Sequence, residues 1–104
     1  MLPSLFISHG SPMLILSDTP ARHFLAGYGN DLPRPDAIVI VSAHYETRQP
    51  AVLGVAAPPM IYDFGGFDPK LRQIVYAAPG DPALARRVAG LLADAALPAT
   101  VDTR

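Results

Sequence analysis

The sequence contains no cysteine and no tryptophan among its 104 residues. Without cysteine, disulfides, thiolate nucleophiles and Cys-rich zinc sites are all excluded. Neither sign of charge is in excess, because eight Lys and Arg stand against nine Asp and Glu and leave a net charge of −1. No Lys/Arg run marks a basic surface, so the sequence gives no indication of nucleic acid or an anionic membrane as a partner.

Long apolar runs and phosphate-binding glycine loops are absent as well. No window approaches the ~18 consecutive apolar residues of a spanning helix. The start, MLPSLFISHG, lacks the basic and long apolar regions of a signal peptide. Neither GYGNDL nor FGGF fits a phosphate loop. Because half of the residues are apolar and 16% are charged, we expect one soluble, cytoplasmic globular domain with no membrane partner.

Proline, by contrast, is abundant. Twelve prolines in this chain are over twice the usual share of ~5%. They predict long, irregular connections, above all in APPMIYDFGGFDPK (57–70), which we interpret as a functional loop.

The apolar pattern predicts an α/β fold with a partial mixed or parallel sheet and flanking helices. Residues 37–45 (AIVIVSAHY) form the strongest predicted strand, because a β-branched run that is apolar on both faces is typical of a central parallel strand. Thr19-Pro20, Asp68-Pro69 and Asp81-Pro82 are cap-plus-proline helix starts. The further predicted strands are SLFIS (4–8), AVLGVA (51–56) and ATVDT (99–103).

Two histidines follow predicted strands, His9 after LFIS and His44 after IVSA. Ligands of open α/β sheets bind beyond the carboxyl ends of the strands. If these two strands are parallel neighbours, both imidazoles reach the same rim and form half of a metal site. A single histidine after a strand is more often a loop or capping residue, so the pair carries the argument. His23 lies off the apolar stripe of the first helix, and we expect it to be solvated.

Other side chains are candidates for substrate binding. A flat pocket for an aromatic ligand can be lined by Tyr62, Phe64 and Phe67, with Asp63 as its polar contact. The alternative is a tight turn packed by its own aromatic side chains. Tyr76 offers a pocket hydroxyl or ends a regular element. Ser11 is a candidate substrate contact rather than a nucleophile, because SHGSP is not a G-x-S-x-G elbow.

Four stretches together resemble the class III extradiol ring-cleavage dioxygenases, in the DOPA-dioxygenase-like branch related to LigB. They occur in the family's order and are FISHGSPM, LPRPDAIVIVSAHYETR, APPMIYDFGGFDPKL and VYAAPGDPALARRV. The resemblance implies a non-haem Fe(II) site, Zn(II) in some members, that binds a catechol-type substrate beside O₂. It also implies that His9 and His44 are two of the metal ligands.

In that family the third ligand and the acid–base histidine come from the later half of a longer chain. The resemblance therefore implies that residues 1–104 are the N-terminal portion of a single catalytic domain, without a catalytic acid–base residue of their own. Its partners would be the small aromatic substrate, and either the missing C-terminal half or a second copy. A small sirohydrochlorin-type chelatase, which also carries HGS after a first strand, and a non-enzymatic metal-binding remnant are the alternatives.

Overall fold

The computed structural model describes residues 2–103, so Met1 and Arg104 of the predicted 1–104 domain lie outside the described residues. The chain divides into two compact units. The first unit contains the residues up to Asp36 together with Ile61–Val75. The second contains Ala37–Met60 and the chain from Tyr76 onward.

The first unit is built on helix α1, Pro20–Tyr28. Thr19 is its N-cap, and the Thr19 Oγ1 accepts a hydrogen bond of 3.3 Å from the Arg22 amide. Proline at the first helical position costs nothing there, because that amide would have no intrahelical acceptor. The sequence prediction of this helix start is confirmed.

Three 3₁₀ turns complete the first unit, at Pro12–Leu16, Gly29–Asp31 and Pro69–Gln73. The last of these begins at the predicted Asp68-Pro69 start and contacts the first. Leu71 in the last turn is the one buried hydrophobic residue of this unit within the described chain. The turn at Pro12–Leu16 was not among the predicted elements.

The second unit is a strand–helix–strand arrangement. Strand β1, Ala51–Leu53, pairs in parallel with strand β2, Thr100–Asp102, and Val52 lies opposite Val101. Helix α2, Pro82–Asp94, connects them and packs on both strands. These elements confirm the predicted strands at AVLGVA and ATVDT, the predicted helix after Asp81-Pro82 and the α/β class.

Small residues bring α2 close to this sheet. Ala85 and Ala89 are buried on its inner face. A Cβ added to Gly54 would collide with the Val101 side chain and would lie 3.6 Å from the Ala85 Cβ. A Cβ on Gly80 would collide with the backbone oxygen of Val55. Glycine at position 54 therefore allows the end of β1 to lie close to β2 and α2. Glycine at position 80 allows the segment before α2 to lie close to Val55.

The other two predicted strands were wrong for this structure. Residues 4–8 and 37–45 have no strand assignment, and Ile40 and Val41 are 78% and 98% exposed. A strand that is apolar on both faces needs a neighbour on each edge and a layer on each side. The described residues supply neither for these segments, so the apolar pattern is present without the pairing. None of the described helices is long and apolar enough to cross a membrane.

Candidate functional site

His9 lies in the first unit, three residues before the 3₁₀ turn at Pro12–Leu16. Gly10 adopts a φ of +72°, a left-handed conformation that glycine accepts without a Cβ penalty. Ser11 then caps the 3₁₀ turn at Pro12–Leu16, because its Oγ accepts a hydrogen bond of 3.1 Å from the Met13 amide. His9 is exposed. The local sequence thus ends the apolar segment abruptly and leaves the imidazole accessible to a ligand.

His44 lies in a different turn, in the second unit. The His44 amide donates a hydrogen bond of 3.1 Å to the Ser42 Oγ, and the Tyr45 amide donates one of 3.2 Å to the Ser42 backbone oxygen. The Tyr45 hydroxyl donates to the Asp102 Oδ2 at 2.9 Å. This long-range bond ties the turn to the end of β2. His44 is exposed.

The predicted aromatic cluster forms within the first unit. The rings of Tyr62 and Phe64 meet edge to face at 6.3 Å between centroids, and those of Phe64 and Phe67 at 6.0 Å. The Tyr62 hydroxyl donates to the Ile74 backbone oxygen at 2.6 Å. Such edge-to-face pairs are a favourable aromatic geometry. The cluster is therefore packed by its own rings, which is the structural alternative that the sequence left open.

Arg72 is a member of this cluster that the sequence prediction missed. Its guanidinium carbon lies 5.8 Å from the Phe64 ring centroid, within cation–π range. One of its terminal nitrogens donates to the Phe64 backbone oxygen at 2.8 Å. The spacing of eight residues gives no periodic signal. The 3₁₀ turn that begins after Asp68 is what returns the arginine to the ring.

An open cavity of about 250 Å³ lies beside the His9 segment and was not predicted. It is formed where the extended chain before His9 meets α1, and it is lined by Phe6, Ile7, Ser8, Ala21, Phe24 and Leu25. Its lining is mainly apolar. Phe24 of α1 is 64% exposed at this edge.

The predicted site residues divide between the two units. His9, Ser11, Tyr62, Asp63 and Phe64 belong to the first unit, whereas His44 and Tyr76 belong to the second. Asp63 is exposed, and Tyr76 is 78% exposed with its amide donating to the Met60 sulfur at 3.4 Å. Across residues 2–103, no group of three or more His, Cys, Asp or Glu side chains is placed to hold a metal ion.

His23 behaves as the sequence predicts. It is exposed on α1, and its Nε2 lies 2.5 Å from the Asp18 Oδ1. Its partner is a surface carboxylate five residues earlier, so the pair needs no ligand to explain it.

Comparison with known proteins places these features in a family. Residues 3–104 match the family described as the catalytic LigB subunit of aromatic ring-opening dioxygenase. The chain is 48% identical over 101 residues to a 4,5-DOPA dioxygenase extradiol of Escherichia coli (strain K12). This alignment covers 97% of the chain and 36% of the relative. A 4,5-DOPA dioxygenase extradiol of Beta vulgaris is 46% identical over 85% of the chain and 34% of its own length.

A more distant relative is also named a dioxygenase. The dioxygenase tasH of Hapsidospora irregularis is 32% identical over 86% of the chain and 31% of its own length. The chain therefore spans about a third of the length of the curated relatives it matches.

Proposed function

The chain belongs to the LigB family of aromatic ring-opening dioxygenases, and on that premise we propose that it forms the N-terminal part of an extradiol dioxygenase centre. The reaction is the opening of a catechol-type ring next to its diol, with O₂ as co-substrate. The observation that carries the proposal is the common setting of His9 and His44. Each is an exposed imidazole that follows an apolar segment, His9 next to the left-handed Gly10 and His44 in a turn. Because the chain belongs to this family, we no longer propose the alternative of a sirohydrochlorin-type chelatase.

The imidazoles of His9 and His44 are suitable ligands for a catalytic transition metal, but two ligands are fewer than such a site commonly has. Neutral imidazole is a common ligand of iron and zinc, and His9 and His44 each have an exposed side chain that could supply one. Catalytic metal sites commonly take three protein ligands. No cluster of three candidate ligands is found among residues 2–103. We propose that a third ligand and an acid–base group are supplied by further polypeptide.

Fe(II) would supply Lewis-acid activation of the diol and redox chemistry with O₂, whereas Zn(II), the alternative metal, would supply Lewis-acid activation alone. His9 and His44 would each hold the metal through one ring nitrogen. The left-handed Gly10 and the Ser42 hydroxyl shape the backbone next to each histidine.

The substrate ring is proposed to contact the aromatic cluster of the first unit. Phe64 offers a ring face or edge, and Asp63 is an exposed carboxylate beside it that can accept a hydrogen bond from a ring hydroxyl. Ser11 and Tyr76 are proposed to add hydroxyl contacts. Because the Tyr62 hydroxyl donates its proton to the Ile74 backbone oxygen, it can serve the substrate only as an acceptor.

Metal binding by the isolated chain tests the ligand assignment. Co(II) is titrated into the wild-type chain, His9→Ala and His44→Ala, and binding is followed by visible absorption. Each substitution should weaken binding by more than the ~10–100-fold typical of losing an outer-shell partner, because a direct ligand is removed. His23→Ala is the matched control, since His23 is an exposed imidazole paired with Asp18. Loss of binding in the His23 variant, with the other two unaffected, would contradict the assignment.

A further inference from the structure

One long-range hydrogen bond next to His44 has no role in the proposed site so far. The Tyr45 hydroxyl donates to the Asp102 Oδ2 at 2.9 Å, although 57 positions separate the two residues. Both residues belong to the second unit, and the bond is partly buried. Partial shielding from water makes a hydrogen bond to a carboxylate stronger than an exposed one. The bond is therefore a candidate restraint on the chain beside His44.

The acceptor of this bond has a fixed backbone. Asp102 lies opposite Leu53 in the parallel pair of β1 and β2. Its backbone oxygen accepts a hydrogen bond of 2.7 Å from the Gly54 amide. Helix α2 packs on both strands. The Asp102 side chain thus starts from a backbone that the sheet holds in place.

The turn that carries His44 has local bonds of a different kind. Ser42 accepts from the His44 amide through its Oγ and from the Tyr45 amide through its backbone oxygen. These bonds close the turn on itself, but they do not join it to the sheet. Consecutive Cα atoms are ~3.8 Å apart, so a restraint on Tyr45 also restrains the backbone of His44. The phenol of Tyr45 therefore links the histidine's turn to β2.

We propose that Tyr45 is a positioning residue for His44, with Asp102 as its anchor on β2. The hydrogen bond restricts the positions that the His44 imidazole can take before a metal binds. A ligand side chain that is already restricted loses less conformational freedom on binding, which raises the affinity. The inference rests on the proposed role of His44 as a metal ligand.

Backbone order at His44 tests the restraint without any metal. The order parameter of the His44 amide is measured by ¹⁵N NMR relaxation in the wild-type chain and in Tyr45→Phe, which keeps the ring and removes the hydroxyl. It should fall from about 0.85 in the wild type toward about 0.6 in the variant. The Ala89 amide in α2 should not change. Tyr28→Phe, in the first unit, is the matched control and should leave His44 as in wild type.

Metal affinity tests the consequence of the restraint. In a Co(II) titration, Tyr45→Phe and Asp102→Leu should each bind about tenfold more weakly, at the low end of the effect of losing an outer-shell partner. The double variant should bind no more weakly than either single variant, because both remove the same bond. Asp102→Asn keeps an acceptor oxygen and should stay within about threefold of wild type, since a neutral bond has roughly half the strength.

A stability control separates positioning from a purely structural role. Asp81→Ala removes the N-cap of α2 in the same unit and leaves the His44 turn intact, so it should lower stability without changing Co(II) affinity. If Asp81→Ala weakened Co(II) binding as much as Tyr45→Phe, or if His44 stayed ordered in Tyr45→Phe, the positioning role would be overturned.

His44→Ala in the same titration distinguishes this inference from the proposed function. Wild-type Co(II) binding by His44→Ala would remove His44 from the metal site, and the positioning role would fail with it. Weak binding by His44→Ala together with wild-type binding by Tyr45→Phe would overturn the positioning role alone.

Discussion

His9 and His44 are both positioned by backbone features within three residues of themselves. At His9 the feature is the left-handed Gly10, and at His44 it is the serine hydroxyl of Ser42. The sequence nominates both histidines because each follows an apolar segment. The Tyr45–Asp102 hydrogen bond, by contrast, joins residues 57 positions apart, and no local pattern predicts it.

Gly80 offers a test of close packing at the residue scale. Gly80→Ala would place a Cβ against the backbone oxygen of Val55, which cannot rotate away as a side chain can. We expect a loss of about 1–3 kcal/mol in the free energy of unfolding, the range of overpacking substitutions. Urea unfolding followed by circular dichroism measures it.

Gly90→Ala is the matched control for that substitution. Gly90 lies inside α2 of the same unit, and an added Cβ there meets no atom within 4 Å. Alanine should stabilise the helix by about 0.5–1 kcal/mol, because glycine loses more backbone entropy on folding. Equal effects of the two substitutions would show that the Gly80–Val55 approach does not form.

At the scale of elements, the helices followed the sequence and half of the strands did not. Thr19-Pro20 and Asp81-Pro82 specify helix starts through bonds to residues only three positions away. Strands β1 and β2 form because α2 returns the chain beside its starting strand. The segment 37–45 has the strongest apolar pattern of the four, yet a strand needs a partner, and that information lies outside the segment itself.

The N-cap of α2 gives a prediction at this scale. Asp81 Oδ1 accepts a hydrogen bond of 2.9 Å from the Leu84 amide and places a negative charge at the helix N-terminus. Asp81→Ala should lower the stability of the second unit by about 1 kcal/mol. The measurement is a thermal melt of the helical signal.

Asp94→Ala serves as its control, because Asp94 is an exposed carboxylate in the last turn of the same helix. A negative charge there opposes the helix dipole, so removing it should leave the midpoint unchanged or raise it slightly. If both aspartate variants lowered the midpoint alike, the cap would not account for the loss.

At the scale of the whole molecule, few hydrophobic residues of the described chain are buried. The buried hydrophobic residues of the described chain are Leu71, Ala85 and Ala89. A core this small agrees with our proposal that further polypeptide supplies the remaining ligand of the metal site.

The central claim is that this chain supplies two metal ligands to a ring-opening dioxygenase, and a chimera tests it most directly. The 104 residues replace the matched stretch of the Escherichia coli relative in one polypeptide, and O₂-dependent ring opening of a catechol is followed by product absorbance. We predict turnover by the chimera and none by the isolated chain.

In the chimera, His9→Ala or His44→Ala should each reduce turnover at least about a thousandfold, since a catalytic metal contributes several kcal/mol and ~1.4 kcal/mol corresponds to tenfold. His23→Ala should retain turnover. A chimera that still opens the ring with both His9 and His44 replaced by alanine would contradict the account.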